Sequence, residues 1–592
     1  MGSLDLGIIG NCSISALIDR CGTIVWSCFP RFDGDPVFCR LLNEGGDRGF
    51  FEVELDGQVG AEQAYIPNTA VLITRLTDSD GDGVEIADFC PRYLRHGRMF
   101  RPTSIVRLLR PFGESPRIRI RLRPAFGYGA HPPEVTRGSN HIRYVGSAMS
   151  LRLTTNAPLT YVLDETPFLL DDRVFLLFGP DESLLAPVIE SGREMYEHTV
   201  EYWRTVALRL SVPFEWQEAV IRAAITLKLC SFEETGAIVA AMTTSLPEID
   251  GQGRNWDYRF CWLRDAYFVV RTLNRLSYVH TMEDFLAFIS NIVSSSEDGY
   301  LQPVYGIGLE RRLIESEVPH LEGFRGNRPV RIGNQAHEHD QHDGYGSVLL
   351  AATQAFFDQR LRRPAGRQAF HRLETVGNQA YRLHQAPDAG LWEFREKARV
   401  HTHSSVMCWA ACDRLARIAH HLELPDRAAH WQQHADQIRA TILSQAWNPL
   451  LNSFVASFGG DEIDASLLLM HEVGFLDPAD PRFAGTVAAV ERELKRGPHL
   501  FRYLKPDDFG RPENAFVVCT FWYIDALIAQ GRTEEARELF ENMLACRNHL
   551  GLLSEDIDPV TNQLWGNYPQ TYSLVGLINC AMKLSKSWEG VV

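Results

Sequence analysis

The stretch Arg254-Asn-Trp-Asp-Tyr-Arg-Phe-Cys-Trp-Leu-Arg-Asp-Ala266 sets four aromatic rings, at Trp256, Tyr258, Phe260 and Trp262, among Arg254, Asp257, Arg259, Arg264 and Asp265. It runs directly into an apolar helical segment ending near Leu276. A core helix has little use for five charges at its mouth. Buried polar groups need partners, so the density points to a site where rings stack on a ligand and charges hold its hydroxyls. An aromatic-rich helix start with surface ion pairs is the competing reading.

The chain around this stretch is 592 residues long, too long for one ordinary core, so at least two domains are expected. Hydrophobic residues make up 45% and charged residues 23%, the balance of a folded globular chain. A net charge of −16 disfavours nucleic acid or an anionic membrane surface as partner, and a neutral substrate fits better. No leader pattern and no run of about 20 apolar residues is present, so a cytoplasmic location is expected. Met1-Gly2 fails the myristoylation pattern because Leu6 stands where Ser or Thr is required. The 12 cysteines form no Cys-x-x-Cys pair, and Cys230, Cys408, Cys412, Cys519 and Cys580 sit within apolar patterns, as reduced core residues do.

Before the stretch, the pattern is that of strands. Short β-branched or alternating runs at 16–19, 23–26, 50–55, 71–76 and 174–178 are separated by Gly, Asp, Asn and Pro turns. Arg117-Ile-Arg-Ile-Arg-Leu-Arg123 is a strict period-2 strand with one basic face, read as solvated rather than as an anion site. Asp78-Ser-Asp-Gly-Asp-Gly83 opens like a calcium loop, but Phe89 replaces the required Glu at position twelve, so a hairpin turn is expected. An antiparallel sheet domain follows, a sandwich in form.

From Glu190 the period becomes helical. A connecting helix to Leu210 is followed by amphipathic segments at 218–230, 265–276, 345–359, 404–422, 427–443, 463–473, 516–530, 533–546 and 573–584. Helices in succession with long loops predict a helical barrel or toroid whose loops on one face build the site. Those loops mix aromatic, acidic and glycine residues. Trp392-Glu393 places a carboxyl beside an apolar ring, a setting that favours its protonated form. Glu555 and Asp556 occupy a polar loop in which an ionised carboxylate is easily kept. One acid and one base on separate elements are what hydrolysis of a glycosidic bond requires.

At this point the chain resembles glycoside hydrolase family 15, the glucoamylase and bacterial trehalase family, over nearly its whole length. The resemblance is carried by LIDRCGTIVWSCFPRFD (17–33), GRNWDYRFCWLRDA (253–266), HLEGFRGNRPVRIGN (320–334), GLWEFRE (390–396), SSVMCWAACDRL (404–415), FWYIDALIAQGR (521–532), GLLSEDIDP (551–559) and GNYPQTYSLVGLIN (566–579), in the family's order. It implies an N-terminal antiparallel β-sandwich (a supersandwich) over 1–188, a linker helix over 189–212 and a C-terminal (α/α)6 barrel over 213–592. It further implies Glu393 as general acid and Glu555 as general base of an inverting hydrolase, with carboxyls roughly 6.5–9.5 Å apart. Arg264 and Asp265 match the pair that grips the terminal glucose, and Trp256, Tyr258 and Trp392 match the aromatic walls. Tyr305 and Arg325 lie in segments that match subsite-forming loops. The family chemistry needs no cofactor or metal.

The implied substrate is a small α-glucoside, either trehalose or a malto- or isomalto-oligosaccharide. The partner is thus a carbohydrate, and a homo-oligomer is compatible with the sequence. An inverting α-glucoside phosphorylase and a non-catalytic sugar-binding relative are the alternatives. Retention of both carboxyls argues against each. The run His337-Glu-His-Asp-Gln-His-Asp343 departs from the family's Gln-Leu-Gln-Leu-Asp pattern, keeping Gln341, Asp343 and Tyr345. Its spacing does not match a zinc motif, so it is expected to border the leaving-sugar side. Leu574, in place of an expected His, and the bulky Trp565 also weaken any transfer of substrate from one relative.

Overall fold

A computed structural model describes residues 3–590; the Met1-Gly2 terminus lies outside the described residues. Two antiparallel sheets, of seven and eight strands, form the N-terminal part. Phe50–Leu55 and Arg117–Arg123 pair in the first, while Leu72–Asp78, Gly83–Phe89, Ile105–Phe112 and Val174–Pro180 belong to the second. Their inner faces share one core, in which Ile9, Phe51 and Ile120 of one sheet meet Leu72, Leu109 and Phe178 of the other. The basic face of Arg117–Arg123 is an ion-pair ladder: Arg119 meets Glu54 at 3.0 Å, and Arg121 meets Glu52 at 2.9 Å across the pairing register. Each of these guanidiniums is already occupied by a carboxylate. Residues 78–83 make the hairpin turn, with Asp80 N–H donating to Asp78 Oδ1 at 2.9 Å.

The helices, in chain order, are α1 (Leu159–Leu163), α2 (Val188–Leu208), α3 (Gln217–Leu229), α4 (Ala266–Arg275), α5 (Val279–Ser294), α6 (Asp343–Phe357), α7 (Arg367–Leu383), α8 (Thr402–His421), α9 (Pro425–Gln445), α10 (Leu469–Glu472), α11 (Pro481–Leu494), α12 (Val517–Ala529), α13 (Thr533–Ala545) and α14 (Thr571–Leu584). Helix α2 covers the outer face of the eight-stranded sheet through Val188 and Met195. From α3 onward the helices build the barrel. Helices α4, α6, α8, α10, α12 and α14 pack in succession, and α14 returns to α4, which closes the ring. The other helices lie outside it.

Composition explains which helix is inside. Helix α12 is apolar almost all round and nearly wholly buried, as an inner helix must be. Helix α9 buries only Trp431, Ala435, Ile438 and Ile442, a single stripe, and faces solvent elsewhere. Helices α5, α7 and α11 are absent from the sequence-based expectation. The segment 463–473, expected as a helix, is a 3-10 turn (Ala465–Leu468) followed by the single turn α10. Asp464 stops the helix there: its Oδ1 caps Ser466 N–H at 2.6 Å while its Oδ2 is held by Trp392 Nε1. Among the described residues, no helix is long and apolar enough to cross a membrane.

The opening stretch joins the two parts. Arg259 is 1% exposed and forms a bidentate pair with Asp257 at 2.7 and 2.9 Å. Its other donors reach Gly34 O and the Tyr128 hydroxyl of the N-terminal part. These two charges are structural, not ligand contacts, which corrects part of the expectation for this stretch.

Candidate active site

At the mouth of the barrel, a cavity of about 780 Å³ is lined by Trp256, Tyr258, Arg264, Trp392 and Glu393, five of the residues expected there. The short strand Cys261–Trp262 pairs with Val304–Tyr305, and a 3-10 turn (Leu263–Asp265) leads into α4. This turn aims Arg264 at the loop before α8. Arg264 Nη1 donates to Leu391 O at 3.0 Å and to Glu393 Oε1 at 3.1 Å, and its Nε donates to Asp265 Oδ1 at 3.0 Å. Trp262 Nε1 donates to the same Glu393 oxygen at 2.6 Å.

Glu393 adopts φ 61°, a left-handed conformation that costs a non-glycine residue about 1–3 kcal/mol and recurs at functional sites. Trp392 does not create an apolar setting for it, contrary to expectation. The indole of Trp392 turns towards Asp464, with Nε1–Oδ2 at 2.5 Å, and packs against Phe516 and Trp522. The neighbours of the Glu393 carboxyl are the N–H donors of Trp262 and Arg264.

Glu555 also departs from expectation. Its loop is not polar in context: Glu555 is 0% and Asp556 2% exposed. Glu555 Oε2 accepts the Asn567 N–H at 3.3 Å, Oε1 has no hydrogen-bond partner, and the Tyr258 phenol stands against the carboxyl. Burial and the nearby Glu248 carboxylate push Glu555 up to about 8, and burial pushes Asp556 well above the usual carboxylate range. Gly566 (φ 76°) makes room for this: a Cβ there would lie 2.7 Å from Glu555 Cβ. Glu248 lines the cavity and is fixed by Arg502 Nη2 at 2.6 Å and Trp256 Nε1 at 3.2 Å.

Behind Arg264 lies a second buried polar group. Asp265 is 7% exposed and Asp343 0% exposed; neither Asp343 oxygen nor the Tyr572 hydroxyl has a hydrogen-bond partner. Burial pushes Asp343 up to about 6, opposed by Arg264. Unsatisfied polar atoms beside a cavity are atoms that water or a hydroxylated ligand can satisfy.

Four expected residues do not line the cavity: Asp265, paired with Arg264, Glu555, fully buried, and Tyr305 and Arg325. Tyr305 is 2% exposed, paired with Cys261 in the short sheet, and its hydroxyl accepts the Gln302 N–H at 3.3 Å. Arg325 stacks over Trp565 at 4.7 Å and reaches Gln563 at 3.4 Å. Glu248, Asp343, Arg502 and Tyr572 were not anticipated as site residues. The Glu248 position follows an unmarked Leu-Pro, and Tyr572 lies within a matched block, the one signal available for it.

The histidine run is dispersed. His337 Nδ1 lies 2.9 Å from Asn334 O, His342 Nδ1 lies 4.0 Å from Asp388, and His339 lines the cavity near Glu393 and Arg395. These side chains do not converge as ligands. Among the described residues, the group with metal-like spacing is His471, Glu472 and Asp525, whose carboxylates are already paired with Arg271 and Lys583.

With this geometry in view, comparisons place the chain among known proteins. The model described as "Glycosyl hydrolases family 15" matches residues 216–582, and "Trehalase-like, N-terminal" matches 5–162. A protein named Trehalase from Thermoplasma volcanium is 32% identical over 98% of this chain and 93% of its own length. One of the same name from Mycolicibacterium smegmatis is 30% identical over 99% of this chain and 91% of its own. Among solved structures, a bacterial glucoamylase complexed with acarbose superimposes with a TM-score of 0.68 at 13% identity, covering 98% of this chain and 93% of that one. That likeness supports the fold: an antiparallel sandwich followed by an (α/α)6 barrel. By its family match over most of the barrel and its relatives over nearly its full length, this chain belongs to glycoside hydrolase family 15.

Proposed function

We propose that this glycoside hydrolase is an inverting, exo-acting α-glucosidase that releases β-glucose from a small α-glucoside, with Glu393 as general acid and Glu555 as general base. The observation that carries the reading is the position of Tyr258. Its phenol feels the charges of both Glu555 and Glu393, carboxyls that belong to loops 162 positions apart (555 − 393). The cavity wall thus lies between one carboxyl reached from the pocket and one held behind it.

In this reading, the terminal glucose rests against Trp392 and Trp256, with its hydroxyls on Arg264 and Asp265. Glu393 donates a proton to the glycosidic oxygen. Glu555 takes a proton from the water that attacks the opposite face of the anomeric carbon. Glu248 holds negative charge beside Glu555 and strengthens it as a base, because a nearby anion raises its proton affinity. Trehalose heads the candidate substrates because the relatives similar over nearly the full length carry that enzyme's name; malto- and isomalto-oligosaccharides follow.

His339 and Arg395 border the leaving-sugar side. Arg395 lies 4.5 Å over Trp256 and is bound to Glu315, while His339 keeps Nδ1 without a partner. A phosphorylase reading finds no support in the cavity. Its cations are all engaged: Arg254 with Asp507, Arg264 with Asp265 and Glu393, Arg395 with Glu315, and Arg502 with Glu248.

The test is a panel of trehalose, maltose, isomaltose and maltotriose, followed by proton NMR of the first product, with and without phosphate. Initial β-glucose is expected. Initial α-glucose contradicts inversion, glucose 1-phosphate contradicts hydrolysis, and no turnover removes the substrate class.

A further inference from the structure

A second cavity, about 1180 Å³ of empty space, lies on the far side of the loop that carries Glu393. Phe394 and Tyr503, their ring centroids 5.5 Å apart, line both cavities. Asp464 lines the second cavity and at the same time binds Trp392 Nε1.

The walls are preformed by backbone. His401 bridges to Ser457, Phe458 N–H donates to Val400 O at 3.0 Å, and Ala456 N–H donates to Glu462 O at 2.8 Å. Against these stand the apolar side chains of Leu451, Ile463 and Leu504. His401 is 8% exposed, stacks on Phe394 at 5.7 Å, and has no hydrogen-bond partner on Nε2. Burial lowers this imidazole to about 4, so it stands neutral and can exchange a hydrogen bond with a hydroxyl.

The rim carries charges of both signs. Arg399 binds Glu462 at 2.9 Å, Lys505 binds Glu462 at 3.0 Å and Asp461 at 3.3 Å, and Lys397 Nζ donates to Pro506 O at 2.8 Å. Arg399 and Lys505 are thus paired with carboxylates, Lys397 rests on a backbone carbonyl, and Glu493 and Asp464 add carboxyls to the lining, so cations and carboxyls both occur around it. A neutral ligand with a flat apolar face and several hydroxyls matches flat rings, a neutral imidazole and a rim of mixed charge. We infer that this cavity is a second binding site for a neutral pyranose, seated on the back of the loop that carries Glu393 and separate from the catalytic pocket.

Equilibrium dialysis with radiolabelled D-glucose counts bound sugars directly. Two per chain are expected at saturation for the wild-type enzyme. Leu451→Trp, which fills the second cavity from its half-exposed rim, lowers the count to one; Ser457→Trp does the same from the other side if the first variant fails to fold. Arg264→Ala, in the catalytic pocket, also leaves one, and that one is abolished by adding Leu451→Trp. A wild-type count of one that is insensitive to Leu451→Trp, or a count of two that survives both fillings, overturns the inference. A single site lost with Leu451→Trp and kept in Arg264→Ala contradicts the glucoside reading of the first pocket while supporting the second site.

Discussion

The indole N–H of Trp262 and the carboxyl of Glu393 meet at 2.6 Å, which joins the strand leading into α4 to the loop before α8. Arg264 shares the same oxygen at 3.1 Å. The segment proposed to hold sugar and the residue proposed to protonate it are thus one hydrogen-bonded unit. Removing the indole donor while keeping an aromatic ring tests its effect. Trp262→Phe is expected to lower kcat for an α-glucoside about 10- to 100-fold, the range for a hydrogen bond to a charged group, with a smaller change in KM. Steady-state kinetics checks this; an unchanged kcat removes the functional link.

The two carboxyls separate by leaving group. Glu393→Gln is expected to lose about 10²–10⁴-fold on a disaccharide, yet to retain most activity on α-glucosyl fluoride, whose leaving group needs no proton. Glu555→Gln is expected to lose activity on both substrates. Equal losses of Glu393→Gln on the two substrates would falsify the acid assignment.

The pH profile follows from burial. A base must be unprotonated to act, so kcat/KM rises with pH through the ionisation of the Glu555 cluster. With Glu555 raised to about 8, this rising limb lies far above the usual carboxylate range. Glu248→Gln removes a negative charge, lowers the Glu555 pKa and moves the limb to lower pH. A limb that stays fixed in this variant shows that Glu248 does not set it.

His339 is tested by the same pair of substrate types. His339→Gln restores the residue of the family pattern and is expected to change kcat/KM among trehalose, maltose and isomaltose. Turnover of α-glucosyl fluoride, which carries no leaving sugar, stays near the wild-type value. A parallel change on the fluoride assigns His339 to the glucose-holding side instead.

Stability is predicted to depend on Arg259. Arg259→Met leaves the buried Asp257 without its counter-ion, a loss of about 3–5 kcal/mol, and Asp257→Asn in the same chain restores part of it. Denaturant unfolding measures both; an Arg259→Met midpoint equal to wild type contradicts a structural role.

Much of the architecture was legible because local chemistry repeats along the chain. The run Phe50–Leu55 and the alternating Arg117–Arg123 are strands with the bounds their patterns mark. The change to helical period near Glu190 corresponds to α2. Helices α5, α7 and α11 escaped notice. So did the loss of helix at 463–468, where a side-chain contact between Asp464 and Trp392, distant in sequence, overrides an apolar run.

Within the opening stretch, residue types pointed to a ligand site without choosing among its charges, and the family resemblance singled out Arg264, Asp265, Trp256 and Tyr258, as it did Glu393 and Glu555. The fates of the remaining charges were not legible. Asp257 and Arg259 satisfy each other inside the junction of sandwich and barrel, and Arg254 pairs with Asp507. Nor could the reading place Tyr305 and Arg325 outside the pocket, since loop membership does not tell which way a side chain packs.

Sequence by itself determined the succession of a strand-rich part and a helical part, the family and the carboxyls that come into question, because hydrophobic period and local motifs are properties of neighbours along the chain. Only the tertiary structure decided the electrostatics. Glu555 is acidic and stands in a polar-looking loop, yet it lies fully buried beside Glu248, and Glu393 receives donors from a segment 129 positions away (393 − 264). Burial and charge proximity are set by contacts between remote segments, and these set the proton affinity on which the proposed chemistry depends.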